Sequence, residues 1–217
     1  MAEQVGGQPT HSWDDWLSWY DQVSGQHNEA DWPRLLLWQA RDVVPVDVLR
    51  RAIATIWIDV SDGLVNLPNV DLPTYGGHTP SRLTPAEWNQ LFERTGYISD
   101  ENEDTGTGTC AKPTTLYRFA KHDRDPAKPG GEMGWSWTVS ADAAALFEDW
   151  DSTSLRDGCL WKAANIDPAQ LKAHLHTKPL PVLGYENEFV FEPTRAQLSH
   201  VMAVRNCAYS EHGAEAL

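Results

Sequence analysis

Three short clusters in the second half of the chain hold the side chains best suited to chemistry. Arg118 closes the run Leu116-Tyr117-Arg118. An arginine in an apolar strand segment asks for an anion, and its planar fork suits a diphosphate better than a lysine does; taken alone, a structural salt bridge is the commoner use of such a residue. Ser136 and Thr138 stand two apart in Trp135-Ser136-Trp137-Thr138, so in a strand their hydroxyls face one side, where they can hold a carboxylate or a ribose. Cross-strand hydrogen bonding without function is the plain alternative. Glu186 and Glu188 are also two apart, in Tyr185-Glu186-Asn187-Glu188, and share a face if both lie in the strand. Like charges so close raise each other's cost of ionisation, which suits acid and base work or the stabilisation of a cation; the alternative is a solvated strand edge.

Taken in order, the clusters resemble the Arg, Ser-x-[Ser/Thr], Glu-x-Glu pattern of the arginine-type mono-ADP-ribosyltransferases, which include bacterial toxins and phage-encoded enzymes. Gly134-Trp135-Ser136-Trp137-Thr138, followed by Ala143, Ala144 and Phe147 on a helix, is similar to that family's serine motif and its next helix. Glu188-Phe189-Val190-Phe191-Glu192-Pro193 is similar to its catalytic strand. The resemblance covers roughly residues 113–205. It implies NAD as substrate, nicotinamide as leaving group and a protein side chain as acceptor, arginine being the acceptor that two glutamates imply.

Under that resemblance Glu188 stabilises an oxocarbenium-like transition state through the ribose 2′-OH. Ser136 positions Glu188 and the nicotinamide ribose, Arg118 pairs with the diphosphate, and Glu186 orients or deprotonates the acceptor guanidinium. Tyr117, Phe119, Trp137, Thr138 and Phe147 complete the cofactor-binding set. Two positions depart from the family pattern: Phe119 stands where a small residue often follows the arginine, and Trp137 where the serine motif often has Thr. Both keep their backbone groups and crowd the pocket. Two further readings stay open, an NAD glycohydrolase in which water replaces the acceptor and Glu186 is dispensable, and a binding protein that has kept the fold without turnover.

The elements that must position these residues change character along the chain. Trp13, Trp16, Leu17 and Tyr20 line one helical face, and Trp32, Leu35 and Leu36 repeat the opening of that pattern. Leu49, Ala52, Ile53, Ile56, Trp57 and Val60 keep the helical period for three turns, with Gly63 as a stop. Residues 64–80 read as a loop. Thr84 as N-cap, Pro85, Glu87 and the staple pair Leu83 and Trp88 predict a further helix ending at Gly96. Residues 99–113 form an acidic connector rich in Gly and Thr.

Beyond the connector the period becomes that of strands, at 115–120, 135–139, 159–163, 188–191 and 200–204. Short helices are expected at 141–150 and 168–174, the second opened by Asp167-Pro168. No βα alternation with a glycine fingerprint occurs, which argues against a doubly wound nucleotide fold. The expectation is an α+β chain: a helical, Trp-rich region over 1–105, then, as the resemblance implies, a mixed β-sandwich ADP-ribosyltransferase-like domain over 106–217.

Composition narrows the partners. Apolar residues make up 41% and charged residues 22% of 217, an ordinary globular balance, and most of the eleven tryptophans are expected in the core. The net charge of −14 makes non-specific nucleic-acid binding a poor expectation. It is uneven: residues 1–105 carry 6 basic against 17 acidic residues, a net of −11, and residues 106–217 carry 11 against 14, a net of −3. The second half is therefore the better home for an anionic dinucleotide, and the first favours a basic partner surface.

Apolar runs are too short to span a bilayer and residues 1–12 lack a secretory pattern, so a soluble protein with no membrane partner is expected, in the cytoplasm of a bacterium or phage-infected cell. Cys110, Cys159 and Cys207 lack metal-type spacing and are expected as free thiols in a reducing compartment. His174-x-His176 and His122-Asp123 find no further ligands at useful spacing, so no metal is expected.

Overall fold

In the computed structural model the described residues are 12–24, 37–59, 83, 85–99, 112–121, 134–146, 158–180 and 184–204. The chain divides into two units, residues 1–98 and 99–217. The Trp32, Leu35 and Leu36 pattern, Val60, Gly63, the 64–80 loop, the Thr84 cap and most of the connector lie outside the described residues.

The first unit is helical. Helix α1, Trp13–Ser24, starts where Ser12 Oγ accepts the Asp15 N–H at 3.2 Å, satisfying one of the donors a helix start leaves open. Helix α2, Val46–Asp59, buries Leu49, Ala52, Ile53, Ile56 and Trp57, the stripe its periodicity predicts. Helix α3, Pro85–Thr95, begins on the proline that a first helical position favours, and Leu83 and Trp88 are both buried. Trp57 meets Trp88 edge-on, with centroids 5.0 Å apart and planes at 80°, and Phe92 at 6.0 Å.

The end of α3 is tightly specified. Gly96 has φ +69° and donates its N–H to Phe92 O at 2.8 Å, the left-handed stop expected of glycine. Arg50 of α2 donates from Nε to Thr95 O at 2.7 Å, satisfying another terminal carbonyl. A Cβ on Gly96 would meet nothing nearer than Arg50 Nη2 at 3.8 Å, so Gly96→Ala should lose only what the left-handed backbone costs, about 1–2 kcal/mol. A lowered urea midpoint with unchanged slope is the expected result; an unchanged midpoint would show that the stop is not under this constraint.

The second unit carries the sheet. Its strands are β2 Thr115–Lys121, β3 Ser136–Thr138, β4 Gly158–Ala164, β5 Leu171–Leu180, β6 Gly184–Phe191 and β7 Leu198–Val204, and the two-residue β1, Ile98–Ser99, spans the boundary itself. The seven-stranded order is β1-β5-β6-β3-β2-β4-β7, and the β2 to β7 pairings are antiparallel. Ladders run the length of β2 with β4 and of β5 with β6. By contrast β2 meets β3 at one described pair, Tyr117 with Thr138. Helix α4, Ala141–Leu146, packs on β2, β3 and β4 and is capped by Ser140 Oγ, which accepts the Ala143 N–H at 3.1 Å. The chain is thus α+β.

Two expectations need correction. The helix expected over 168–174 is a single 3-10 turn, Pro168–Gln170, followed by β5. The start signal is real: Asp167 accepts the Ala169 N–H at 2.9 Å and Gln170 Oε1 accepts the Asp167 N–H at 3.2 Å. Yet Leu171, Ala173 and Leu175 are buried on one face and His174 on the other, the two-sided burial of an interior strand. Second, Cys159 is not a free thiol but disulfide-bonded; Cys110 and Cys207 lie outside the described residues. A disulfide removes the reason for placing the chain in a reducing compartment. Of the tryptophans, Trp16, Trp57, Trp88, Trp135, Trp137 and Trp161 are buried. Among the described residues no helix is long and apolar enough to cross a membrane.

Candidate functional site

Strand pairing decides which of the candidate residues share a surface. β3 lies beside β6 with Ser136 opposite Val190, Trp137 opposite Phe189 and Thr138 opposite Glu188. Directly opposed residues project to the same face, so Thr138 and Glu188 do, and the period of two adds Ser136. Glu186 occupies the same parity of β6, its backbone opposite Thr177; its side chain lies outside the described residues. Glu188 is also opposite Leu175, Thr138 opposite Tyr117, and Tyr117 opposite Lys162. One row therefore crosses five strands: Leu175, Glu188, Thr138, Tyr117 and Lys162. Phe119, two residues beyond Tyr117, has the same facing.

Burial grades along that row. Glu188 and Thr138 are each 3% exposed, and Leu175 and Val190 are fully buried, whereas Ser136, Tyr117, Phe119 and Lys162 are half-buried. A carboxyl group withdrawn from water this far needs partners within the fold, and Glu188 has an interaction there. Thr138 Oγ1 accepts the Ser140 N–H at 3.4 Å, tying the hydroxyl beside Glu188 to the start of α4.

Arg118 and Trp137 alternate to the other face. Arg118 is opposite Trp161, and its Nη1 donates to the Ser136 carbonyl. The guanidinium thus bridges β2 to β3 where their backbones share one described pair. Trp137 is buried, donates its indole N–H to Gly134 O at 2.9 Å and packs edge-on against Phe191 at 6.0 Å. On this face His174 stacks on Phe189 with centroids 4.2 Å apart and planes at 6°. Phe147 lies outside the described residues. Among the described residues no three His, Cys, Asp or Glu side chains group as metal ligands.

Lys162 is the member of the row with the weakest signal in the sequence. It is a lone cation inside Cys159-Leu160-Trp161-Lys162-Ala163, and only the pairing of β4 with β2 relates it to Thr138 and Glu188. Comparison with known protein families, with curated proteins and with solved structures finds no match to this chain.

Proposed function

We propose that the chain is an NAD-dependent mono-ADP-ribosyltransferase, its second unit an ADP-ribosyltransferase-like domain, transferring ADP-ribose to an arginine of a protein acceptor. The observation that carries this reading is the common facing of Ser136, Thr138 and Glu188, with Glu186 at the matching parity of β6. The serine motif and the Glu-x-Glu motif of the resemblance thereby meet across one strand pair.

The chemistry asks little more of the protein. The bond from the ribose anomeric carbon to the nicotinamide nitrogen breaks and its electron pair leaves with nicotinamide. Glu188 stabilises the positive charge that develops on the ribose through its 2′-OH, and Ser136 orients both. An acceptor guanidinium nitrogen then bonds to the anomeric carbon and gives its proton to Glu186. Tyr117, Phe119 and Thr138 border the bound dinucleotide, the resemblance adds Phe147, and Trp137 supports β3 from the core. The resemblance gives Arg118 to the diphosphate, whereas its donation to the Ser136 carbonyl supports a role in placing Ser136 instead.

Incubating the full chain with labelled NAD and an arginine-rich protein tests this, with label on protein and released nicotinamide followed together. Label and nicotinamide appearing in step is the expected result. Nicotinamide without label would make water the acceptor, and absence of both, with no NAD binding, would sink the enzyme reading.

A further inference from the structure

We infer that Lys162 supplies the cation for the dinucleotide's diphosphate, and that Arg118 serves as the positioning residue that fixes Ser136; the inference rests on the transferase reading. Lys162 faces the Glu188 side of the sheet and Arg118 alternates away from it. From β6 to β4 there are three strand spacings, which puts the two Cα atoms about 14 Å apart. A ribose and a diphosphate together span an interval of that length, so a ribose held at Glu188 leaves the diphosphate within reach of the lysine stem. Tyr117, half-buried between Thr138 and Lys162 in the row, provides an aromatic floor beneath it.

The charges favour the same direction. Lys162 is half-buried, and among the described residues its ammonium is in no ion pair. A lysine is a compact point charge that binds phosphate without the bidentate geometry a guanidinium imposes. Such a charge set well away from Glu188 also gives the dinucleotide a direction, nicotinamide ribose toward β6 and diphosphate toward β4. Arg118, by contrast, already spends a donor on the Ser136 carbonyl, and losing that bond would shift the serine before any ligand arrived.

Calorimetric titration of the full chain with NAD, ADP-ribose and inorganic pyrophosphate separates these roles, using the parent, Lys162→Gln, Lys162→Arg and Arg118→Lys, each checked for parental melting. Lys162→Gln should weaken ADP-ribose and pyrophosphate at least tenfold, and Lys162→Arg should restore most of that loss. Arg118→Lys should bind pyrophosphate within about twofold of parent while nicotinamide release falls. If Lys162→Gln binds ADP-ribose as the parent does, the lysine assignment is wrong while the transferase reading stands. If the parent binds pyrophosphate through Lys162 but not NAD, the anion site stands and the transferase reading falls. A parent that binds none of the three overturns both.

Discussion

Glu188→Gln should lower nicotinamide release by at least about a hundredfold, the scale on which one preorganised electrostatic contact to a transition state acts. The amide matches the carboxylate in shape, so neighbours such as Leu175 and Thr138 need not move, but it no longer offsets positive charge on the ribose. Melting should stay close to parental, because the amide fills the same space at 3% exposure and is itself a neutral group whose burial is tolerated when hydrogen-bonded. The paired variant Glu186→Gln should separate the two glutamates: transfer to protein falls while hydrolysis of NAD by water continues. Rates come from chromatography of released nicotinamide and stability from thermal melting. A Glu188→Gln protein that releases nicotinamide at the parental rate would remove Glu188 from the chemistry.

The largest expected effect on stability lies in the helical unit. Trp57 is 2% exposed and meets both Trp88 and Phe92 edge-on, so Trp57→Ala removes the aromatic ring shared by α2 and α3. The expected loss is about 3–5 kcal/mol, a large part of the stability a domain ordinarily has. Trp57→Phe, which keeps an aromatic ring in the site, should lose clearly less. Urea unfolding followed by far-ultraviolet circular dichroism reads the helical signal without relying on tryptophan emission. A midpoint unmoved by Trp57→Ala would mean that α2 and α3 are held by other contacts.

Local periodicity carried most of the element assignment. The stripe from Leu49 to Trp57 and the proline start at Pro85 each define a helix that needs little help from distant residues, and the alternating run from Thr115 to Lys121 is a strand for the same reason. Residues 171–175 defeated that logic. Leu171 and Leu175 are four apart, as on a helix face, and Asp167-Pro168 is a helix start, so only burial of His174 on the opposite side identifies the strand. Cys159 is similar in kind, since a disulfide depends on which cysteine folding brings near.

The site was legible to a matching depth. A period of two places Ser136 with Thr138 and Glu186 with Glu188, because that relation lies within one strand. Whether the two pairs meet, and whether Arg118 joins them, depends on pairing between strands far apart in the chain. A shift of one residue would have turned either pair to the other face. Lys162 was invisible for the same reason.

Among the described residues β2 and β3 share one pair, Tyr117 with Thr138, which gives the sheet a seam. On one side lie β1, β5, β6 and β3, on the other β2, β4 and β7, and β5 to β3 and β2 to β7 are laced by several consecutive pairs. Across the seam run that one described pair and the Arg118 bond to the Ser136 carbonyl, and α4 packs on both β2 and β3. Sheets open where few bonds must break together, and among the described pairings from β2 to β7 this junction has the fewest paired residues. Glu188 and Ser136 stand on one bank, Tyr117 and Lys162 on the other. A dinucleotide gripping both banks would rivet the two sides of the sheet together, and part of its binding energy would then appear as stiffness of the sheet.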